Sequence, residues 1–137
     1  MQKKLHSILL VDDDKDCNFF HQRLISKMDC VEKVYTVGDG QEALNFLQST
    51  ESINKPDIIF LDLNMPHMNG WEFIDAYEKL DENIKARVVI IMLTTALNTS
   101  DIERGNGYKA ITGYRNKYLD KETMKNILEE YFEIICE

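Results

Sequence analysis

Apolar residues in this chain follow two patterns that take turns. Short unbroken runs such as "ILLV", "IIFL" and "VVIIML" have the length of strands covered on both faces, as in parallel sheets. The longer segments between them repeat apolar residues every three or four positions, which gathers them on one side of a helix. "SILLVDD" closes on acids, and "KDCNFFHQRLISKM" follows with Cys17, Phe20, Leu24 and Met28 at helical spacing. "KVYTV", a break at the "GDG" from Gly38, and "QEALNFLQST" with Ala43, Leu44 and Leu47 on one face make a second unit. Pro56 restarts the chain into "DIIFLD", and Asn69 and Gly70 precede "WEFIDAYEKL", where Phe73, Ile74, Tyr77 and Leu80 share a stripe. After "RVVIIML" a polar stretch has room only for a short helix starting near Ser100 or Asp101. "AITGYRN" reads as the last strand, and "DKETMKNILEEYFEII" places Met124, Ile127, Leu128, Tyr131 and Ile135 at helical spacing behind an Asp120 cap.

Five strand–helix units predict an α/β fold: a five-stranded parallel sheet, helices on both faces and right-handed crossovers. The 137 residues suit a single domain, residues 1–137, with no linker or output segment expected. Ligand sites of such sheets lie outside the carboxyl ends of the strands. There the order of elements gathers Asp12, Asp13, Asp62, Thr94 and Lys117 at one rim. An acid at one strand end is ordinary, but three acids with a hydroxyl and a lysine call for a common purpose. Carboxylates crowded together repel by a few kcal/mol per close pair, on the order expected at a protein surface, and a cation must offset that. Magnesium suits the site, because it takes one or two carboxylates, keeps several waters and adds phosphate oxygens. Asp62 can then attack phosphorus, with Lys117 neutralising the phosphoryl oxygens and Thr94 donating a hydrogen bond.

Charge and cysteine content narrow the choice. Sixteen Lys and Arg against 24 Asp and Glu leave a net charge of −8, with the basic residues dispersed, which argues against a nucleic-acid surface. No apolar run approaches the ~20 residues of a membrane helix, and Asp12, Asp13 and Asp14 interrupt any signal-peptide core, so a cytoplasmic protein with no membrane partner is expected. Cys17, Cys30 and Cys136 are odd in number and share no ligand spacing, which predicts free thiols rather than a disulfide or zinc site. Met65, Met68 and Met92 read as packing. His6, His21 and His67 lack ligand spacing and receive no chemistry, and Trp71 is expected partly exposed at the start of the third helix.

With "VDD" ending the first strand, "DIIFLDLNMPHMNGWEFI" around the third, "IIMLTT" closing the fourth and "GYRNK" closing the fifth, the chain resembles the receiver domains of two-component response regulators, the CheY-like family. The resemblance covers essentially the whole chain. It implies strand order 2-1-3-4-5, Asp62 as phosphoacceptor, and Asp12 and Asp13 as the acidic pair, Asp13 a direct magnesium ligand and Asp12 acting mainly through water. Asn64 would add a ligand through its backbone carbonyl, Asp14 would be an extra acid at a solvated helix start, and Tyr114 the aromatic whose rotamer follows Thr94. Thr95, where relatives usually carry a small residue, is the second choice for the hydroxyl. Asn64 and Ala96 occupy the positions that tune self-dephosphorylation; neither is acidic, and although Asn64 could help position water, Ala96 cannot, so loss of phosphate slower than in an Ala96→Glu variant is expected. The phosphodonor would be a sensor histidine kinase or a histidine phosphotransfer protein, and a downstream target would meet the face formed by the fourth helix, fifth strand and fifth helix.

One position departs from the pattern. Tyr118 follows the lysine where relatives usually have proline. A cis bond costs about 2.5–4 kcal/mol before other residues against roughly 0.5–1 before proline, so a trans Lys117–Tyr118 peptide is expected. A haloacid-dehalogenase-like phosphatase would need a second acid where Asn64 stands and has no place for the early "DD" pair. A flavodoxin-like cofactor site would require a phosphate-cradling loop where "DDDKD" repels phosphate. A pseudo-receiver that only docks would lack an acid, Thr94 or Lys117, and none is missing.

Overall fold

The computed structural model describes residues 3–49, 55–63, 65, 68–82, 85, 89–94 and 99–136, the side chains of 89–94 excepted. Strands β1 (Leu5–Val11), β2 (Val31–Val37), β3 (Ile58–Asp62), β4 (Val89–Thr94) and β5 (Ile111–Asn116) alternate with helices α1 (Lys15–Met28), α2 (Gly40–Ser49), α3 (Gly70–Glu78), α4 (Thr99–Gly105) and α5 (Lys121–Phe132). The strands pair in parallel in the order β2-β1-β3-β4-β5.

The uninterrupted apolar runs serve two cores at once. In a strand successive side chains point to opposite faces. Ile8 and Leu10 of β1 and Ile58 and Phe60 of β3 accordingly join Ile25, Met124, Ile127 and Leu128 on one side of the sheet. Their neighbours Leu9, Val11, Ile59 and Leu61 join Ala43, Leu44, Leu47, Phe73, Ile74 and Tyr77 on the other. The polar β2 and the half-buried β5 stand at the two edges.

Caps set the helix ends where side chains can satisfy free backbone donors. Asp14 accepts from the N–H groups of Asp16 and Cys17, Asn69 forms a capping box with Glu72, and Asp120 accepts from Thr123 N–H. The helix after β4 is short, seven residues, and begins at Thr99.

Four expectations are corrected. The buried face of α1 is Cys17, Asn18, His21, Ile25 and Met28, while Phe20 is 50% exposed. The i, i+4 series from Cys17 runs through His21 and Ile25, and counting imidazole as polar hid it. Helix α5 ends at Phe132 because Glu133 turns into the left-handed region, so Ile135 is outside the helix and exposed while Ile134 and Cys136 point inward. That extended tail carries Cys136 to Cys30, and the two form a disulfide with Cα atoms 5.9 Å apart. Their separation of 106 residues leaves no local spacing to read, and Cys17 is the free, buried thiol that makes the count odd. Trp71 is buried, covered by Tyr108 stacked at 6.0 Å and by the Arg104 guanidinium 4.6 Å from its ring. No described helix is long and apolar enough to cross a membrane.

Candidate phosphoacceptor site

Register brings the acids together. Val11 of β1 is paired with Leu61 of β3, so the next residues, Asp12 and Asp62, stand side by side at the strand ends. Asp12 is 4% exposed and Asp62 5%, whereas Asp13 faces solvent. One oxygen from each of the three lies within 4.8 Å of the others. The far end of the sheet supplies the counter-charge: Thr94 pairs with Asn116, and Lys117 is the next residue. Its ammonium stands 2.7 Å from Asp12 Oδ2 and 3.6 Å from Asp62 Oδ2. Burial disfavours the charge on Lys117, but the hydrogen bond to Asp12 and the charges of Asp62 and Asp12 outweigh it and hold the ammonium above its ordinary pKa. Lys117 therefore stays a cation at any physiological pH.

The surrounding backbone holds these groups in place. Asp12 Oδ1 accepts from Asp14 N–H at 2.9 Å, and Asn18 Nδ2 donates to the carbonyls of Asp12 and Val37, tying the ends of β1 and β2 to α1. Beyond Asp62, Gly70 lets α3 begin against the strand end. A Cβ there would come within 2.9 Å of the Asp62 carbonyl oxygen, and Gly70 N–H donates to Leu63 O at 3.0 Å.

An all-oxygen set of three carboxylates, with no thiolate or imidazole among them, matches the donors that magnesium takes. Thr94 ends β4, and its side chain lies outside the described residues, as do Asn64, Thr95 and Ala96. Tyr114 is half-buried on β5. Its Oη donates to Ile102 O of α4 at 3.3 Å, and the ring occupies the space where a Cβ on Gly105 would sit. Burial, and then the charge of Asp101, raise its phenol pKa.

The loop beside Lys117 differs from expectation. The Lys117–Tyr118 peptide is cis. Contacts from α1 meet this loop, and a local preference for trans takes no account of them. Tyr118 packs on Phe20 and His21, with ring centroids 6.3 and 5.9 Å away, and Leu119 N–H donates to His21 Nε2 at 3.0 Å. His21 is the residue that sequence reasoning missed. Its spacing of four from Cys17 was the available signal, since a histidine on a buried helix stripe must find a partner.

A family model described as the response regulator receiver domain matches residues 8–130. Among solved structures, a two-component response regulator from Cytophaga hutchinsonii is 29% identical, with a TM-score of 0.84 over 93% of this chain and 97% of that one. Response regulator Rcp1 of Synechocystis sp. is 33% identical over 98 residues, 69% of this chain and 65% of Rcp1. The nitrate/nitrite response regulator protein NarL of Escherichia coli is 31% identical over 88 residues, 64% of this chain and 38% of NarL. The matched region thus spans less than two thirds of either relative's length. Members of this family are signalling proteins that work with histidine kinases and downstream effectors, and the phosphatase alternative finds no support. Its sheet, its acidic rim and these matches agree: the chain belongs to the response regulator receiver domain family.

Proposed function

We propose that Asp62 is the phosphoacceptor and that a phosphohistidine protein, either a sensor histidine kinase or a histidine phosphotransfer protein, is its donor. The observation that carries this reading is the Lys117 ammonium, standing 2.7 Å from Asp12 and 3.6 Å from Asp62, beside the spot where charge would develop on a phosphoryl group. An Asp62 oxygen attacks phosphorus in line, the P–N bond to the donor imidazole breaks, and its electron pair returns to the ring nitrogen. The product is an acyl phosphate. Asp12, Asp13 and Asp62, with the carbonyl of Asn64, would hold magnesium, Asp12 mainly through water. When bound, the ion supplies positive charge to the phosphoryl oxygens. Lys117 supplies charge from the other side, and the Thr94 hydroxyl donates to the phosphoryl group.

Tyr114 links this chemistry to output. Its ring already touches α4 at Gly105 and Ile102, so a ring that follows Thr94 would alter the face formed by α4, β5 and α5. A target protein reads that face in the cytoplasm. With a net charge of −8, the domain itself offers no cationic stripe to nucleic acid. Asn64 could help hold a water in line with the acyl phosphate, but the methyl of Ala96 cannot, so the phosphorylated state should decay more slowly than in an Ala96→Glu variant.

Acetyl phosphate with magnesium should add one phosphoryl group by intact mass, and Asp62→Asn should add none. Equal labelling of both proteins would show that another residue is the acceptor.

A further inference from the structure

His21 has no part in the chemistry described so far, yet it joins a ring of contacts that closes on the site. It is 1% exposed, on α1, one helical turn after Cys17. Its Nε2 accepts from Leu119 N–H at 3.0 Å, and its Nδ1 lies 3.6 Å from Cys17 Sγ. Cys17 in turn lies near enough to Asp12 for its thiol to feel that carboxylate, and Asp12 Oδ2 meets the Lys117 ammonium. Lys117 is two residues before Leu119, so the circuit runs Asp12, Cys17, His21, Leu119, Lys117 and back to Asp12.

The direction of each hydrogen bond follows from one constraint. An imidazole nitrogen that accepts an N–H carries no proton, so the ring proton of His21 is on Nδ1. That Nδ1–H faces the Cys17 sulfur 3.6 Å away. Burial holds both groups neutral: it lowers the His21 pKa to about 4 against the weaker opposing charge of Asp12, and, with the nearby Asp12 carboxylate, it pushes the Cys17 thiol up to about 12. Tyr118 and Phe20 close over the ring, with centroids 5.9 and 5.6 Å away.

We infer that His21 is a positioning residue for phosphoryl transfer: by accepting the Leu119 N–H it anchors the Lys117–Leu119 segment and so holds the Lys117 ammonium over Asp12 and Asp62. The inference rests on the reading of Asp62 as phosphoacceptor, because only there does the placement of Lys117 govern a rate. The flexible side chain of Lys117 has three donors and can turn to Asp12 alone; its backbone anchor decides whether it also reaches Asp62. Positioning is a large part of catalysis in phosphoryl transfer, and a displacement of about 1 Å can cost on the order of 100-fold.

The test compares wild type, His21→Gln and His21→Leu, phosphorylated with acetyl phosphate in saturating magnesium. Glutamine can present an acceptor near the Nε2 position, and leucine cannot. The maximal rate should fall tenfold or more in His21→Leu and return to within about threefold of wild type in His21→Gln, the half-saturating acetyl phosphate changing less than twofold in either. Equal rates in the two variants, whether both normal or both slow, would overturn the assignment and leave His21 as core packing. If His21→Leu does not fold, the wild-type imidazole decides. A long-range proton–nitrogen spectrum at pH 7 should show the proton on Nδ1 and none on Nε2, and a proton on Nε2 overturns the inference. Failure of the underlying reading looks different: wild type itself would take no phosphate on Asp62.

Discussion

Helices α1 and α4 flank the same acidic rim, and they are held in opposite ways. Fourteen residues long and capped at both ends, α1 buries Cys17, Asn18, His21, Ile25 and Met28, and its polar side chains bind the ends of β1 and β2 and the loop after β5. Helix α4 has seven residues and buries only Gly105. Its ties include the Arg104 guanidinium over the Trp71 ring and the Ile102 carbonyl receiving Tyr114 Oη. The lesson is a division of labour. If these acids and the lysine serve phosphoryl transfer, as proposed, they must keep fixed places to stabilise charge without reorganisation, and the many ties of α1 suit that need. If the α4 side carries the output, as proposed, it needs a second arrangement within a few kcal/mol, and its lighter fastening suits that.

The largest test cuts the covalent tie on the α1 side. Cys30 follows α1 directly, and its disulfide to Cys136 closes a loop of 106 residues. Reduction, or Cys136→Ser, should lower the unfolding free energy by about 2–5 kcal/mol in urea titrations. Hydrogen exchange in α4 should be little changed, since a helix that buries so little is expected to open independently of the tail. An unmoved urea midpoint would mean that packing alone secures the tail.

Acid should loosen α1 before α4. The His21 pKa is about 6.5 unfolded and about 4 folded, so between these values the unfolded chain binds more protons. Stability is fully present above pH 6.5 and is lost as pH falls toward 4, by roughly 3 kcal/mol in total. His21→Gln removes that component of the pH dependence, and urea midpoints measured from pH 7 to pH 4 compare the two slopes. Parallel slopes would show that His21 does not titrate with folding.

Magnesium probes the rim between the helices. At a hundred times its dissociation constant it should stabilise the wild type by about 2.7 kcal/mol. Asp13→Ala should remove most of that gain while stabilising the metal-free protein, because one repelling carboxylate has gone. A magnesium response unaltered by Asp13→Ala would place the ion elsewhere.

The smallest effect is expected at α4. Arg104→Ala removes the cation from the Trp71 face at a cost of about 0.5–1 kcal/mol. Hydrogen exchange in residues 99–105 should speed up several-fold while α1 and α5 keep their protection. Uniform acceleration across the chain would show that α4 belongs to the global folding unit and would erase the contrast with α1.

The sequence by itself determined the order of strands and helices, because a run such as "IIFL" has no polar residue to spare for solvent and can only be a strand covered on both faces. It determined the rim as well: an acid just after the first strand, another closing the third and a lysine just after the fifth must converge once the strands are parallel. Asp14, Asn69 and Asp120 were legible as caps or helix starts from local chemistry alone. The disulfide, the cis peptide after Lys117, the burial of Trp71 and the contacts of His21 were decided only in three dimensions. Each depends on a partner far along the chain: Cys136 for Cys30, Leu119 and Tyr118 for His21, Arg104 and Tyr108 for Trp71. Periodicity reports how a residue relates to its own helix or strand. What a side chain meets across the fold is set by which surfaces the packed sheet brings together, and no local spacing carries that information.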